Sequence, residues 1–279
     1  FIFHTPFYLF VFDAEGKWFI ISSTHRKMEI QTYLLKETFE DVYGPGLNPT
    51  NYTRTEYSGT RLAPTANNVY VYDCFFHDIS YSSSGGALNC GSSVYKLLIE
   101  QSSFFSCKTS GYGGGGVCFS NSGNYECVMS KICGFGCSCG NCGTCVYVSL
   151  YNSANYRNHV NDSTFTHSLK DGKSPRDSIY LRSDNMLVPS NNFTNNECYY
   201  CPAFCCDSTR SSTSETCVIS YCSIVNNTAN GGYKCIRLYH SGSTHRVDTC
   251  NIINNKQTSS EYGTIYAYAN ILIKDSCIL

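Results

Sequence analysis

Short runs in which apolar and polar residues alternate recur along this chain at a nearly fixed interval. Each begins with an apolar pair two residues apart: Val69 with Val71, Leu97 with Ile99, Cys127 with Met129, Asn158 with Val160, Met186 with Val188, Cys217 with Ile219, His245 with Val247, and Ile271 with Ile273. Only Asn158 and His245 break the apolar rule. Period two over so short a run means strand, with one side buried. A polar step and an anchor follow, as in DCFFHD (73–78), SSFFSC (102–107), ICGFGC (132–137), DSTFTH (162–167), SNNFTN (190–195), YCSIVN (221–226), TCNIIN (249–254) and DSCI (275–278). Taking the fourth letter as anchor gives Phe76, Phe105, Phe135, Phe165, Phe193, Ile224, Ile252 and Ile278, spaced by 26 to 31 residues.

Columns around the anchor agree with one another. Two positions later stand Asp78, Cys107, Cys137, His167, Asn195, Asn226 and Asn254, and the last three predict a ladder of stacked amides. The second and third apolar pairs lie one residue further from their anchors than the rest, which reads as a bulge or a longer turn. A second strand follows each Gly- or Ser-rich turn, clearest at 85–90, 114–120, 143–149, 177–183, 235–241 and 263–269. A unit of about 29 residues leaves no room for a crossover helix. Parallel pairing of equivalent strands, about 4.8 Å per coil, then satisfies the backbone and buries every column. The predicted fold is all-β, a right-handed parallel β-helix of about eight coils over 67–279, its hand taken from the general preference of parallel crossovers. Propeller blades need a longer period, and the leucine-rich repeat motif is absent.

An open solenoid end exposes unpaired strand, so residues 1–66 are expected to form a cap. A hairpin is predicted from 7–12 and 17–22 around Ala14-Glu15-Gly16. A short helix or irregular cap is predicted within 28–42, with Ile30, Leu34 and Val42 on one helical face, Phe39 nearby, and a stop at Gly44-Pro45. The apolar opening 1–12 reads as strand or truncated leader, and no run reaches the length of a membrane span.

Composition sharpens this picture. Charged residues make up 15% of 279, against roughly 25% in an average domain, while 23 Tyr, 16 Phe and 22 Gly form a strand-and-turn alphabet. A net charge of -1 leaves no footprint for nucleic acid or anionic lipid. All nineteen cysteines lie between Cys74 and Cys277.

The anchors followed by Asn, the Gly85-Gly86-Ala87 type of strand start, and the richness in Cys and Tyr resemble two related groups over 67–279. One is the pectate-lyase-like right-handed β-helix superfamily. The other, closer, is the polymorphic-membrane-protein-like surface proteins of trichomonad-type parasitic protists. The resemblance implies a non-enzymatic cell-surface or secreted β-helix for interaction or adhesion, meeting a protein or glycan partner.

Candidate chemistry is sparse, and no catalytic residue set or cofactor is implied. Polysaccharide-active enzymes on this fold need carboxylates gathered on one face. The acids in a shared column, Asp73, Asp162 and Asp275, belong to coils too far apart and read as turn residues. Cys137, Cys139, Cys142 and Cys145 form CxCxxCxxC, and Cys198, Cys201, Cys205 and Cys206 form a second cluster. Their spacing leaves zinc, disulfides or buried thiols open, with buried thiols preferred. His167 reads as a member of the stacked polar column, and His240 and His245 as surface or turn residues. Glycosylation sequons stand at Asn51, Asn161, Asn192 and Asn226.

Overall fold

The computed structural model describes residues 7–12, 18–24, 27–31, 37–151, 156–168, 176–208, 215–231, 234–239, 244–258, 263–268 and 270–279. Three long parallel sheets wrap one interior, a parallel β-solenoid, joined by two short parallel ladders, Ser80–Tyr81 with Lys108–Thr109 and Glu197–Cys198 with Thr228–Ala229 and Lys256–Gln257. Face one stacks nine strands, from Thr50–Thr53 and Asn68–Tyr72 to Asn270–Lys274. Face two also stacks nine, from Glu56–Ser58 and Phe75–His77 to Cys277–Ile278. Face three stacks seven, from Leu88–Cys90 to Ile265–Ala267. Seven strands on face three bound six turns, fewer than the eight expected, because both ends of the solenoid complete only two faces. The predicted apolar pairs do point inward: Val69, Val71, Leu97, Ile99, Met129, Val160, Met186 and Ile219 are all fully buried.

Two of the anchors need correction. Phe104, not Phe105, pairs with Phe76, and the next partner in that column is Gly134, not Phe135. The interior column therefore runs Tyr57, Phe76, Phe104, Gly134, Phe165, Phe193, Ile224, Ile252, Ile278. With Phe104 and Gly134 in place, every apolar pair stands at the same distance from its anchor. The predicted bulge is consequently absent, and the ladders there run in continuous register. Gly134 is small for a packing reason. A Cβ at that position would lie 2.5 Å from Cys145 Sγ and 2.8 Å from the Phe165 ring, which already fill the slot.

Corner geometry explains the polar columns. Among the described residues, the fifteen non-glycine residues with positive φ fall at two corners of the coil. One corner, between faces one and two, holds Arg54, Asp73, Gln101, Lys131, Asp162, Ser190, Tyr221, Thr249 and Asp275, with φ from 46° to 57°. The other holds Asp78, Ser106, His167, Asn195, Asn226 and Asn254. Asp and Asn tolerate this left-handed conformation better than most residues, so the column of aspartates is a turn requirement. The amide ladder exists one residue beyond its predicted column. Asn196 Nδ2 donates to Asn227 Oδ1 at 3.0 Å, and Asn227 Nδ2 donates to Asn255 Oδ1 at 2.9 Å. The same amides donate to the carbonyls of Phe165 and Phe193, and Asn255 Nδ2 donates to that of Ile224. His167 is thus an exposed corner residue, not part of the ladder. His245 is wholly buried in Thr244–Asp248, near Thr216 Oγ1, contrary to its surface assignment. His240 lies outside the described residues.

The segment before the repeat differs from expectation in part. Strands Phe7–Phe12 and Trp18–Thr24 do form the antiparallel hairpin. Lys27–Gln31 adds a third antiparallel strand where helix was predicted, and the helix is confined to Phe39–Tyr43. Thr38 caps it, accepting from Asp41 N while Asp41 Oδ2 accepts from Thr38 N. This helix covers the outside of face one, packing Phe39 on Tyr70, Tyr72, Leu98 and Val128. The solenoid itself starts inside 1–66, at Thr50–Thr53 and Glu56–Ser58. Tyr57 stacks on Phe76 at 4.6 Å and covers the interior there. That first coil escapes the period because its third face shrinks to a single bridge, Leu62 to Leu88, so Tyr57 precedes Phe76 by 19 residues.

Candidate functional site

The outward positions of face two carry a stripe of aromatic rings. In register, His77, Phe105 and Phe135 stand above one another on adjacent strands, followed by Thr166, Thr194, Val225 and Ile253. Phe105 and Phe135 stack with centroids 4.8 Å apart and planes 5° apart, matching the strand spacing that positions them. His167 extends the stripe, its ring 5.0 Å from Phe135, and Phe75 stacks on His77 at 4.8 Å. Phe75 and Phe105 are each 42% exposed. The neighbouring outward column begins at Phe75 and continues through Ser103, Cys133, Thr164, Asn192, Ser223 and Asn251, so it is polar apart from Phe75 and Cys133. Rings on a flat sheet with polar flanks can stack against sugar or side-chain faces while hydroxyls and amides bind the edges.

Cysteine placement separates the two clusters seen in the sequence. All nineteen are free thiols, and every one but Cys133 and Cys277 is buried. CxCxxCxxC does not close on a common point. Cys137 and Cys145 belong to the interior, while Cys139 donates to the Cys142 carbonyl and Cys142 to Asn141 Oδ1. From the second cluster, Cys206 enters the core and meets Cys217 Sγ at 2.9 Å. Cys201 and Cys205 instead meet Asp177 of the preceding coil, with ligand atoms within 4.8 Å of one another. Among the described residues this is the one such convergence of three His, Cys, Asp or Glu side chains.

A bulge builds that convergence. Asp177 pairs with Cys201, but Ile179 pairs with Phe204, so the Cys201–Asp207 strand holds one extra residue. Bulges re-aim side chains in this way. Asp177 is 2% exposed and its Oδ1 has no hydrogen-bond partner. Burial pushes the Asp177 carboxyl up to about 6, against the opposing pull of the Cys201 thiol and the guanidinium groups of Arg176 and Arg237. Burial likewise raises Cys201 well above an ordinary thiol. Sequence reading missed Asp177 because its partners lie a full coil away. The signal available was its position at the start of the face-three strand Asp177–Arg182, where the three preceding coils place Gly86, Gly115 and Thr144.

Carboxylates gather in one further place, under the helix. Glu100 is buried and accepts from Tyr70 Oη at 2.9 Å, Glu37 N at 3.0 Å and Lys131 Nζ at 3.3 Å. Glu37 and Asp162 face the same ammonium, and burial raises both of their carboxyl groups. Asp73 and Asp275 stay apart from them at their own corners. Among the described residues no helix is long and apolar enough to cross a membrane. No family model, curated protein or solved structure gives a significant match to the chain.

Proposed function

We propose that this protein is a non-enzymatic interaction or adhesion scaffold, working at the cell surface or in secreted form. In this reading it is a right-handed β-helix of the pectate-lyase-like kind, akin to the polymorphic-membrane-protein-like surface proteins of parasitic protists. The stripe His77, Phe105, Phe135 and His167 is the observation that carries it. Phe105 and His167 are exposed and His77 and Phe135 half-buried, all outside the core, and outward aromatic rows mark interaction sites. A glycan or protein partner would lie along face two, rings beneath it and the Ser, Thr and Asn column beside it. Exposed sequon residues Asn51 and Asn226 fit a secreted chain.

A glycan array and a pull-down panel test the proposal with wild type and a Phe105→Ala, Phe135→Ala double variant of unchanged circular dichroism. The expected result is a ligand held by wild type and released by the variant. Binding unaffected by the double variant, or a cytosolic location of the native protein, defeats it. The polysaccharide-active alternative rests on Glu37 and Asp162, two desolvated carboxyl groups that both face Lys131. It requires turnover of a polymeric uronide or glycan that Asp162→Asn abolishes.

A further inference from the structure

The outer side of face three gathers soft ligands that an interaction scaffold does not use. We infer that Asp177, Cys201 and Cys205 form a buried site for a single zinc-class divalent ion, with Cys142 placed to complete the set. Their ligand atoms already lie within 4.8 Å of one another. A tetrahedral zinc ion with thiolate bonds of about 2.3 Å holds its sulfurs roughly 3.8 Å apart, so small side-chain rotations close the shell.

Three further observations point to an ion. Asp177 Oδ1 is buried without a hydrogen-bond partner, and a cation would satisfy it where no donor does. Cys142, from the coil before, sits against the same carboxylate and supplies a third thiol. Counter-charge is at hand: three thiolates and a carboxylate exceed a divalent ion by two negative charges, and Arg176, Arg237 and Lys234 flank the site. The donor set selects among metals. Calcium and magnesium take oxygen ligands, and copper(I) prefers sulfur alone, whereas zinc accepts mixed sulfur and carboxylate donors. Asp177, Cys201 and Cys205 are at most 2% exposed, as in a closed structural site. Binding would convert three thiols to thiolates and release three protons to solvent, clipping successive coils together.

The test is cobalt(II) titration of reduced, chelator-stripped full chain under anaerobic conditions, read by thiolate-to-cobalt charge transfer and by proton release. One ion per chain, displaced by zinc, is expected. Cys205→Ser and Asp177→Asn should each weaken binding by at least about tenfold, the least that loss of even an outer-shell partner costs. Cys137→Ser, in the motif that does not converge, should leave affinity unchanged. Absence of a charge-transfer band in wild type overturns the inference, as does a band undiminished in Cys205→Ser. Should a variant fail to fold, wild-type stoichiometry and the release of three protons per ion still decide it.

Discussion

Two adjacent phenylalanines, identical in chemistry, should differ sharply in what they contribute. Phe104 is fully buried and stacks on Phe76 at 4.8 Å with planes 4° apart, and its Cβ fits against Gly116. Phe105, the next residue, is 42% exposed and stacks on Phe135. Truncating a buried Phe to Ala costs about 3–5 kcal/mol, the lost transfer free energy plus a cavity. Truncating Phe105 forfeits an exposed stack of about 0.5–1.5 kcal/mol. The difference between Phe104→Ala and Phe105→Ala should therefore be about 2–4 kcal/mol. Urea unfolding of both variants, followed by far-UV circular dichroism with matched slopes, measures it. Equal losses, or a larger loss for Phe105→Ala, would refute the register that places Phe104 inside.

Gly134→Ala should destabilise by about 1–3 kcal/mol through overpacking against Cys145, measurable in the same assay, and Cys145→Ala should relieve part of it. Asn227→Ala removes the acceptor of Asn196 N and the donor to the Phe193 carbonyl, so it should cost about 2–4 kcal/mol, whereas Asn226→Gly at the adjacent corner should stay within about 0.5 kcal/mol of wild type. In metal-free protein, Asp177 is held up to about 6 in the fold against an ordinary 3.8. Its folded form keeps a proton that the unfolded chain gives up, so stability is greatest below the unfolded value and falls by about 3 kcal/mol as pH rises through about 6. Asp177→Asn should abolish that fall, and parallel stability curves for the two proteins would contradict it.

Much of the fold was legible because a solenoid writes its geometry into a period. The apolar pairs and the starts of the face-three strands fixed two of three faces directly. On face two the anchors slipped by one residue, at Phe105 and Phe135. Two adjacent aromatics at 104–105 offered two anchors, and at 134 a glycine held the interior slot while Phe135 faced out. The same ambiguity hid the amide ladder, since Asn195-Asn196, Asn226-Asn227 and Asn254-Asn255 each place one Asn at a left-handed corner and the next inside. The face-three strand Cys201–Asp207 was not predicted either, because its cysteines read as a cluster and its bulge breaks alternation. Asp177 and Cys201 are separated by a full coil, so no local motif joins them.

The central claim is the vertical register of the interior column, and ring-to-ring nuclear Overhauser effects on a phenylalanine-labelled sample test it most directly. The account predicts cross-peaks for Phe76 with Phe104, Phe165 with Phe193 and Phe105 with Phe135. Cross-peaks joining Phe76 to Phe105 and Phe135 to Phe165, in place of these, would contradict it.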